Sequence, residues 1–316
     1  MRRTGTRALL LGFVVLLTAA CGTIGLITTP AGQIFIADRV NGRIVRINDM
    51  TGAGWTTYGS LGSGTNQFRP EGVYVNAAGQ IFITDTLNNR IVRVNDMTGA
   101  GWTTFGSFGS GTNQFSSPTA VDVNAAGQIF IADFFNNRIV RINDMTGAGW
   151  TTFGSAGSGT NQFNTPYFVH VNTAGQIFIA DFSNNRIVRI NDMTGAGWTS
   201  FGSVGSGTNQ FNGPFGVYVN AAGQIFIIDQ NNHRIVRIND MTGAGWTTFG
   251  SAGSGTNQFQ VPWGVDVNAA GQIAIGDSGN NRIVRINDMT GAGWTTFGSL
   301  GSGANQFNGP QGVFLR

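Results

Sequence analysis

The motif AGQI begins at Ala31, Ala78, Ala126, Ala174, Ala222 and Ala270, a spacing of 47 residues followed by 48 four times. A fixed period of that size restricts a chain to stacked units that each bury their faces against a neighbour, in a solenoid, a propeller or an array. Each unit holds four short apolar runs. In the fifth they read GVYVN, QIFII, RIVRIN and WTTFGS, separated by AAG, DQNNH and DMTGAG. Runs of four to six residues rich in Val, Ile, Thr and aromatics, bounded by Gly, Asn and Asp, are strands. No helical periodicity is present, and the 49 glycines suit tight turns.

Four antiparallel strands in each of six units predict an all-β fold, a six-bladed β-propeller spanning residues 31–316. Closing the ring buries both faces of every sheet and removes open ends. The final GPQGVFLR is a seventh copy of the first strand with nothing after it. It is expected to become the innermost strand of the blade begun by Ile34, while the degenerate first strand in IGLITTPAGQ leaves the reverse assignment open.

The segment FNGPFGVYVNAAGQIFIIDQNNHRIVRIND resembles the NHL repeat in its Pro-x-Gly-Val, Gly-x-Ile-x-Ile-x-Asp and Asn-His-Arg-Ile elements. The resemblance covers nearly all of the chain after its first segment. It implies a propeller that binds proteins, nucleic acid or small ligands, with only some relatives acting as enzymes.

That first segment reads as an export signal of residues 1–20. Arg2, Arg3 and Arg7 precede the run ALLLGFVVLLTAA, which as a helix reaches roughly 20 Å, too short to span a bilayer. LTAAC resembles the lipobox of bacterial lipoproteins, which makes Cys21, the sole cysteine, the expected lipidation site and residues 21–30 a tether. The expected location is the bacterial cell envelope, at the outer membrane or cell surface, with the lipid as the sole membrane contact. Without a second cysteine there are no internal disulfides, so stability must come from burial and hydrogen bonds.

All 18 basic residues are arginine, and setting aside Arg2, Arg3 and Arg7 leaves 15 against 15 acidic residues. A formally neutral chain lacks the electrostatic footprint of a nucleic-acid partner.

Several repeated elements read as scaffold. An aspartate is followed five residues later by an arginine in every copy, from Asp38/Arg43 to Asp277/Arg282. Such a pair braces one hairpin loop, at about 0–1 kcal/mol if exposed. The repeated tryptophans, Trp55 to Trp294, are expected to pack between blades. The NDMTGAG loops carry too few oxygens for calcium, and the Gly/Ser loops lack the lysine and helix of a phosphate site. No cofactor or metal is expected.

Differences between copies cluster at two places. One follows the proline that enters the first strand: Glu71, Thr119, Tyr167, Phe215, Trp263 and Gln311. The other is the hairpin after the second strand, which includes Phe134, Phe135 and Phe182. With strands running alternately up and down, both emerge on one side of the disc. Phe168 also replaces the glycine found at Gly72, Gly216, Gly264 and Gly312. Aromatic loops at a propeller mouth suggest a platform for an extracellular protein, peptide or glycan, with the protein acting as a monomer. The other reading folds these rings inward as caps on the blade core.

A third variable row lies within the first strand: Tyr74, Asp122, His170, Tyr218, Asp266 and Phe314. If it lines the channel, Asp122 and Asp266 oppose each other, and a lyase or hydrolase around Asp122, His170 and Asp266 is the alternative to a binding protein. No catalytic residues are assigned. An envelope spacer without a ligand is the third reading.

Overall fold

The structure, a computed structural model, describes residues 32–316. The signal segment, Cys21 and the rest of the tether lie outside the described residues.

Six four-stranded antiparallel sheets form the ring. Blade 2 shows the plan, with Pro70–Val75 innermost, then Ile81–Asp85, Arg90–Val94 and the short outermost Thr103–Phe105. In blade 1 the innermost strand is Pro310–Leu315, which pairs antiparallel with Ile34–Asp38 (Ile34 opposite Leu315, Ile36 opposite Val313). The orphan seventh copy thus closes the ring, as its sequence predicts.

The second strands are buried on both faces along their whole length, as in Ile34–Asp38 and Ile129–Asp133. Their near-continuous apolar runs therefore fit a sheet covered on both sides. The core lies between blades. Phe35, Ala37 and Ile44 of blade 1 pack with Val73, Val75, Ile81 and Ile83 of blade 2, for example. Each connector contributes a wholly buried phenylalanine (Phe68, Phe115, Phe163, Phe211, Phe259 and Phe307). The tryptophans pack against these across the blade boundary, as Trp150 does with Phe115 at 5.5 Å and Phe105 at 6.1 Å.

The Asp–Arg pairs are architectural, and they are more than loop braces. All six aspartates are fully buried, with Arg Nε to Oδ2 distances of 2.7–2.8 Å. In blade 3, Asp133 also accepts the Ser116 backbone N–H at 2.7 Å and the Asn136 amide at 2.8 Å. Arg138 donates onward to the carbonyls of Ser110 at 2.7 Å and Gln114 at 2.8 Å, and its guanidinium lies 5.6 Å from the Trp150 ring centre. Each pair therefore pins the connector arriving from the preceding blade. Low solvent exposure takes it outside the regime of a weak surface pair. His233 is scaffold too: it takes the left-handed turn position at φ 53° and its Nδ1 accepts the Val261 N–H at 3.2 Å, as Asn137 Oδ1 does for Thr165.

Topology fixes two distinct faces. Pro70 lies opposite Asp85, so the entry to the first strand and the hairpin after the second share one rim, termed the hairpin face. The NAAG and NDMTGAG loops occupy the other, termed the funnel face.

Candidate binding face and channel

The variable residues do share one rim, but several of them point into the ring. Glu71, Thr119, Tyr167, Phe215 and Gln311 are buried, which corrects the picture of an exposed aromatic platform at these positions. Tyr167 lies 3.8 Å from Phe215 between ring centres and 5.4 Å from Trp263, while Phe215 and Trp263 are 4.5 Å apart. Phe134 and Phe182 pack onto this cluster from the hairpins, at 5.4 Å from Tyr167 and 4.9 Å from Phe215. Together the rings plug the channel at the hairpin face.

The plug explains why the fourth copy departs from its neighbours. A Cβ on Gly216 would sit 2.8 Å from the Trp263 carbonyl, and one on Gly264 2.6 Å from that of Gln311, so the innermost strands approach too closely there for a side chain. In blades 5 and 6 the pairing skips from the proline to Val217 and Val265. In blades 3 and 4 it resumes one residue earlier, at Ala120 and Phe168. Phe168 is half-buried there, packed against the clusters that join blade 4 to blades 3 and 5.

A polar clasp holds the plug. Tyr167 donates its hydroxyl to Glu71 Oε2 at 2.7 Å, and Arg39 Nε donates to Glu71 Oε1 at 3.0 Å. Burial pushes the Glu71 carboxyl above its ordinary range, against the opposing pull of Tyr167 and Arg39. The Tyr167 hydroxyl is raised well above its ordinary value, first by burial and then by the Glu71 charge. Replacing Tyr167 by Phe leaves one Glu71 oxygen without its donor. A loss of about 1–3 kcal/mol is expected, read from urea midpoints at unchanged m-value.

The exposed part of this face is apolar, and much of it comes from positions the sequence reading passed over. Among the described residues the exposed large apolar side chains are Val40, Leu61, Leu87, Phe108, Phe135, Val204 and Leu300. Val40, Leu87 and Phe135 stand on the hairpins. The other four occupy the variable position of the GS-x-GSG connector, each beside a carbonyl that a hairpin asparagine holds. Asn88 reaches Gly62, Asn136 reaches Gly109, Asn232 reaches Gly205 and Asn41 reaches Gly301, all at 2.8 Å. All seven therefore lie on the hairpin face. Phe135 is 61% and Phe108 72% exposed, whereas its neighbour Phe134 turns inward to the plug. The missed signal was the one letter that varies inside a connector otherwise read as a linker.

The opposite mouth is open. Two lobes of about 730 and 410 Å³ lie among the NAAG loops, with Tyr74, His170 and Tyr218 at their inner ends. The predicted row does converge. Tyr74, Asp122, His170, Tyr218, Asp266 and Phe314 all line a cavity of about 50 Å³ between funnel and plug, room for on the order of three waters.

Both aspartates fasten neighbouring innermost strands. Asp122 accepts the N–H groups of Val123 at 2.7 Å and Val171 at 2.8 Å. Asp266 accepts those of Val267 at 2.8 Å and Leu315 at 2.7 Å. Asp122 Oδ2 also lies 2.9 Å from His170 Nδ1, which orients the imidazole. His170 Nε2 is buried with no protein partner, and its ring lies 4.7 Å from that of Tyr218. An imidazole held this way can exchange a proton or accept a hydrogen bond. No group of three or more His, Cys, Asp or Glu side chains is placed to hold a metal among the described residues.

Burial pushes Asp266 up to about 7, against the lowering by the Leu315 and Val267 N–H groups and by His170. A carboxyl whose value is raised on folding stabilises the fold at low pH and loses that contribution as pH rises through the folded value. Stability is therefore expected to fall between about pH 4 and pH 7, by on the order of 4 kcal/mol from this group. Urea unfolding at pH 5 and pH 8 measures the slope, and Asp266→Asn is expected to flatten it.

Residues 259–286, in the sixth copy, match the family model of the NHL repeat. No curated protein matches the chain. Among solved structures, a chain of the nidogen/laminin complex superposes with a TM-score of 0.68 at 17% identity, covering 89% of this chain and 97% of that one. Virginiamycin B lyase from Staphylococcus aureus gives 0.57 at 19% identity, with 81% and 78% covered. A protein of unknown function from Bacteroides caccae gives 0.64 at 15%, with 90% and 98% covered. At these identities the likeness is one of fold. The chain is thus a six-bladed β-propeller whose sixth unit matches the NHL repeat.

Proposed function

We propose that this chain is an exported, lipid-anchored binding propeller that takes an extracellular protein or peptide on its hairpin face. The observation that carries the reading is the gathering of all seven exposed large apolar side chains onto that one face. Exposed apolar side chains gathered on one face amid polar groups mark where proteins bind partners. Export and anchoring rest on Arg2, Arg3, Arg7, the apolar run and Cys21. The formal neutrality of the chain beyond the signal keeps nucleic acid out of the reading. No helix among the described residues is long and apolar enough to cross a membrane.

The triple variant Leu87→Ser, Phe108→Ser, Phe135→Ser tests it. These side chains are 54%, 72% and 61% exposed, so Tm is expected to move by only about 2 °C. Affinity for a partner recovered from envelope extracts is expected to fall at least about tenfold. Unchanged affinity would reject the hairpin face. Failure to recover any partner would favour the spacer reading.

The His170–Asp122 pair at the funnel floor supports a second reading, a lyase or hydrolase working from the funnel face. Stoichiometric zinc or calcium in the purified protein would promote it.

A further inference from the structure

We infer that the lipid anchor turns the funnel face toward the bilayer and holds the apolar hairpin face away from it, so that this face is offered to a partner protein and not to lipid. The inference rests on the anchoring proposed above. It comes from where the described chain begins and how much chain separates that point from Cys21.

The Gly32 N–H bonds the Arg316 carbonyl, and the Arg316 N–H bonds Gln33 O at 2.9 Å. Ile34 lies opposite both Leu315 and Ile47, next to the turn that begins at Asn48. The chain therefore enters the ring on the funnel face, one strand out from the channel. Residues 22–31 are all that separate Cys21 from this point. Fully extended, they reach at most about 40 Å.

Laying the hairpin face on the membrane requires a longer path. The tether would pass two further strands, about 10 Å at 4.8 Å per strand, and clear the outer side chains, roughly 5 Å more. It would then run down the thickness of the disc, about 20 Å for a six-residue strand, plus roughly 5 Å for the turns on each face. The sum is about 45 Å, beyond the tether's greatest reach. With the funnel face toward the bilayer the tether needs none of this detour.

An exposed apolar face has two candidate occupants, lipid and protein, and the tether is too short to lay this face on lipid. Leu87, Phe108 and Phe135 are presented outward, where the matching surface is an apolar patch on a protein held beyond the headgroup layer. The funnel, with His170 and Tyr218 at its inner end, opens toward the membrane.

The test uses the full lipidated chain in phosphatidylethanolamine/phosphatidylglycerol vesicles that contain brominated lipid. An environment-sensitive fluorophore is placed on Phe108→Cys, at the hairpin face, or on Ala126→Cys, at the funnel face; Cys21 is blocked by its lipid. Quenching at 126 is expected to exceed that at 108 at least threefold. A tether lengthened by twenty Gly/Ser residues is expected to lower the quenching at 126. Equal or stronger quenching at 108 overturns the inference, and so does quenching at 126 that ignores tether length. A chain that carries no fatty acid at Cys21 and does not float with vesicles sinks the anchoring itself, a result distinct from a floating chain with the wrong face quenched.

Discussion

Removing Pro310–Arg316 is expected to abolish cooperative folding, although the cut takes only seven residues from the end of the chain. Those residues supply the innermost strand of blade 1 and the last side of the channel. Val313 is buried, Phe314 packs on Tyr74 at 4.9 Å between ring centres, and Leu315 gives Asp266 one of its two backbone donors. Burying Val313 contributes about 1.5–3 kcal/mol, the half-buried Phe314 and Leu315 contribute less each, and the strand's ladder bonds to Ile34–Asp38 add to that. A domain stable by about 5–15 kcal/mol has little left after such a loss. The remaining ring would also be open, with Ile34–Asp38 exposing an unpaired edge to the channel. Near-UV circular dichroism and gel filtration should show a chain without fixed packing that associates with itself. Trypsin should cut at the third-strand arginines that the intact ring protects. A peptide of residues 309–316 added in trans is expected to restore part of the signal. A truncated chain that still unfolds in one sharp transition would show that blade 1 contributes nothing to closure.

The closing strand was legible in part: GPQGVFLR repeats a first strand, but IGLITTPAGQ offers a degenerate one as well, and the pairing with Ile34–Asp38 decides between them. The convergence of Tyr74, Asp122, His170, Tyr218 and Asp266 was legible for a related reason: a residue at one register position in every copy must face the axis in every blade. The direction of Tyr167 was not. A ring at that position turns across the mouth because it meets rings of other blades there, Phe215 at 3.8 Å and Trp263 at 5.4 Å between ring centres. That is a distance between blades, which a single unit does not encode. The apolar connectors were missed because a Gly/Ser-rich segment reads as slack. In the fold each is pinned by an asparagine and an arginine of the next hairpin, and the one side chain that varies, such as Phe108, is held out into solvent. The arginines were read as partners of their own aspartates. Their second task, holding carbonyls of the incoming connector, is visible once the blades are side by side.

That second task makes Asp38 the position where one substitution should cost most. Asp38→Ala is expected to destabilise the ring by about 3–5 kcal/mol, the loss typical when one partner of a buried ion pair is removed. Asp38 is fully buried, and it takes Arg43 Nε at 2.8 Å, the Asn41 amide at 2.9 Å and the Asn308 backbone N–H at 2.8 Å. Without the carboxylate, Arg43 keeps its bonds to the carbonyls of Ser302 at 2.7 Å and Gln306 at 2.8 Å, but its charge has lost its counter-ion. The Asn308 N–H loses its acceptor as well. The same change at Asp133 strands a comparable set of groups, yet there the bond to Ser116 spans 17 residues, whereas that from Asp38 to Asn308 spans 270. Closing the longer loop costs more entropy, so the contacts that hold it shut have more to offset. Asp38→Ala is accordingly expected to lose more than Asp133→Ala when urea midpoints are compared at equal m-value, and to speed unfolding more. Asp38→Asn keeps the shape and one acceptor and should fall between the wild type and the alanine variant. Equal losses at Asp38 and Asp133 would mean that the junction between the chain ends is no weaker than any other blade boundary, and that the ring opens anywhere along its circumference.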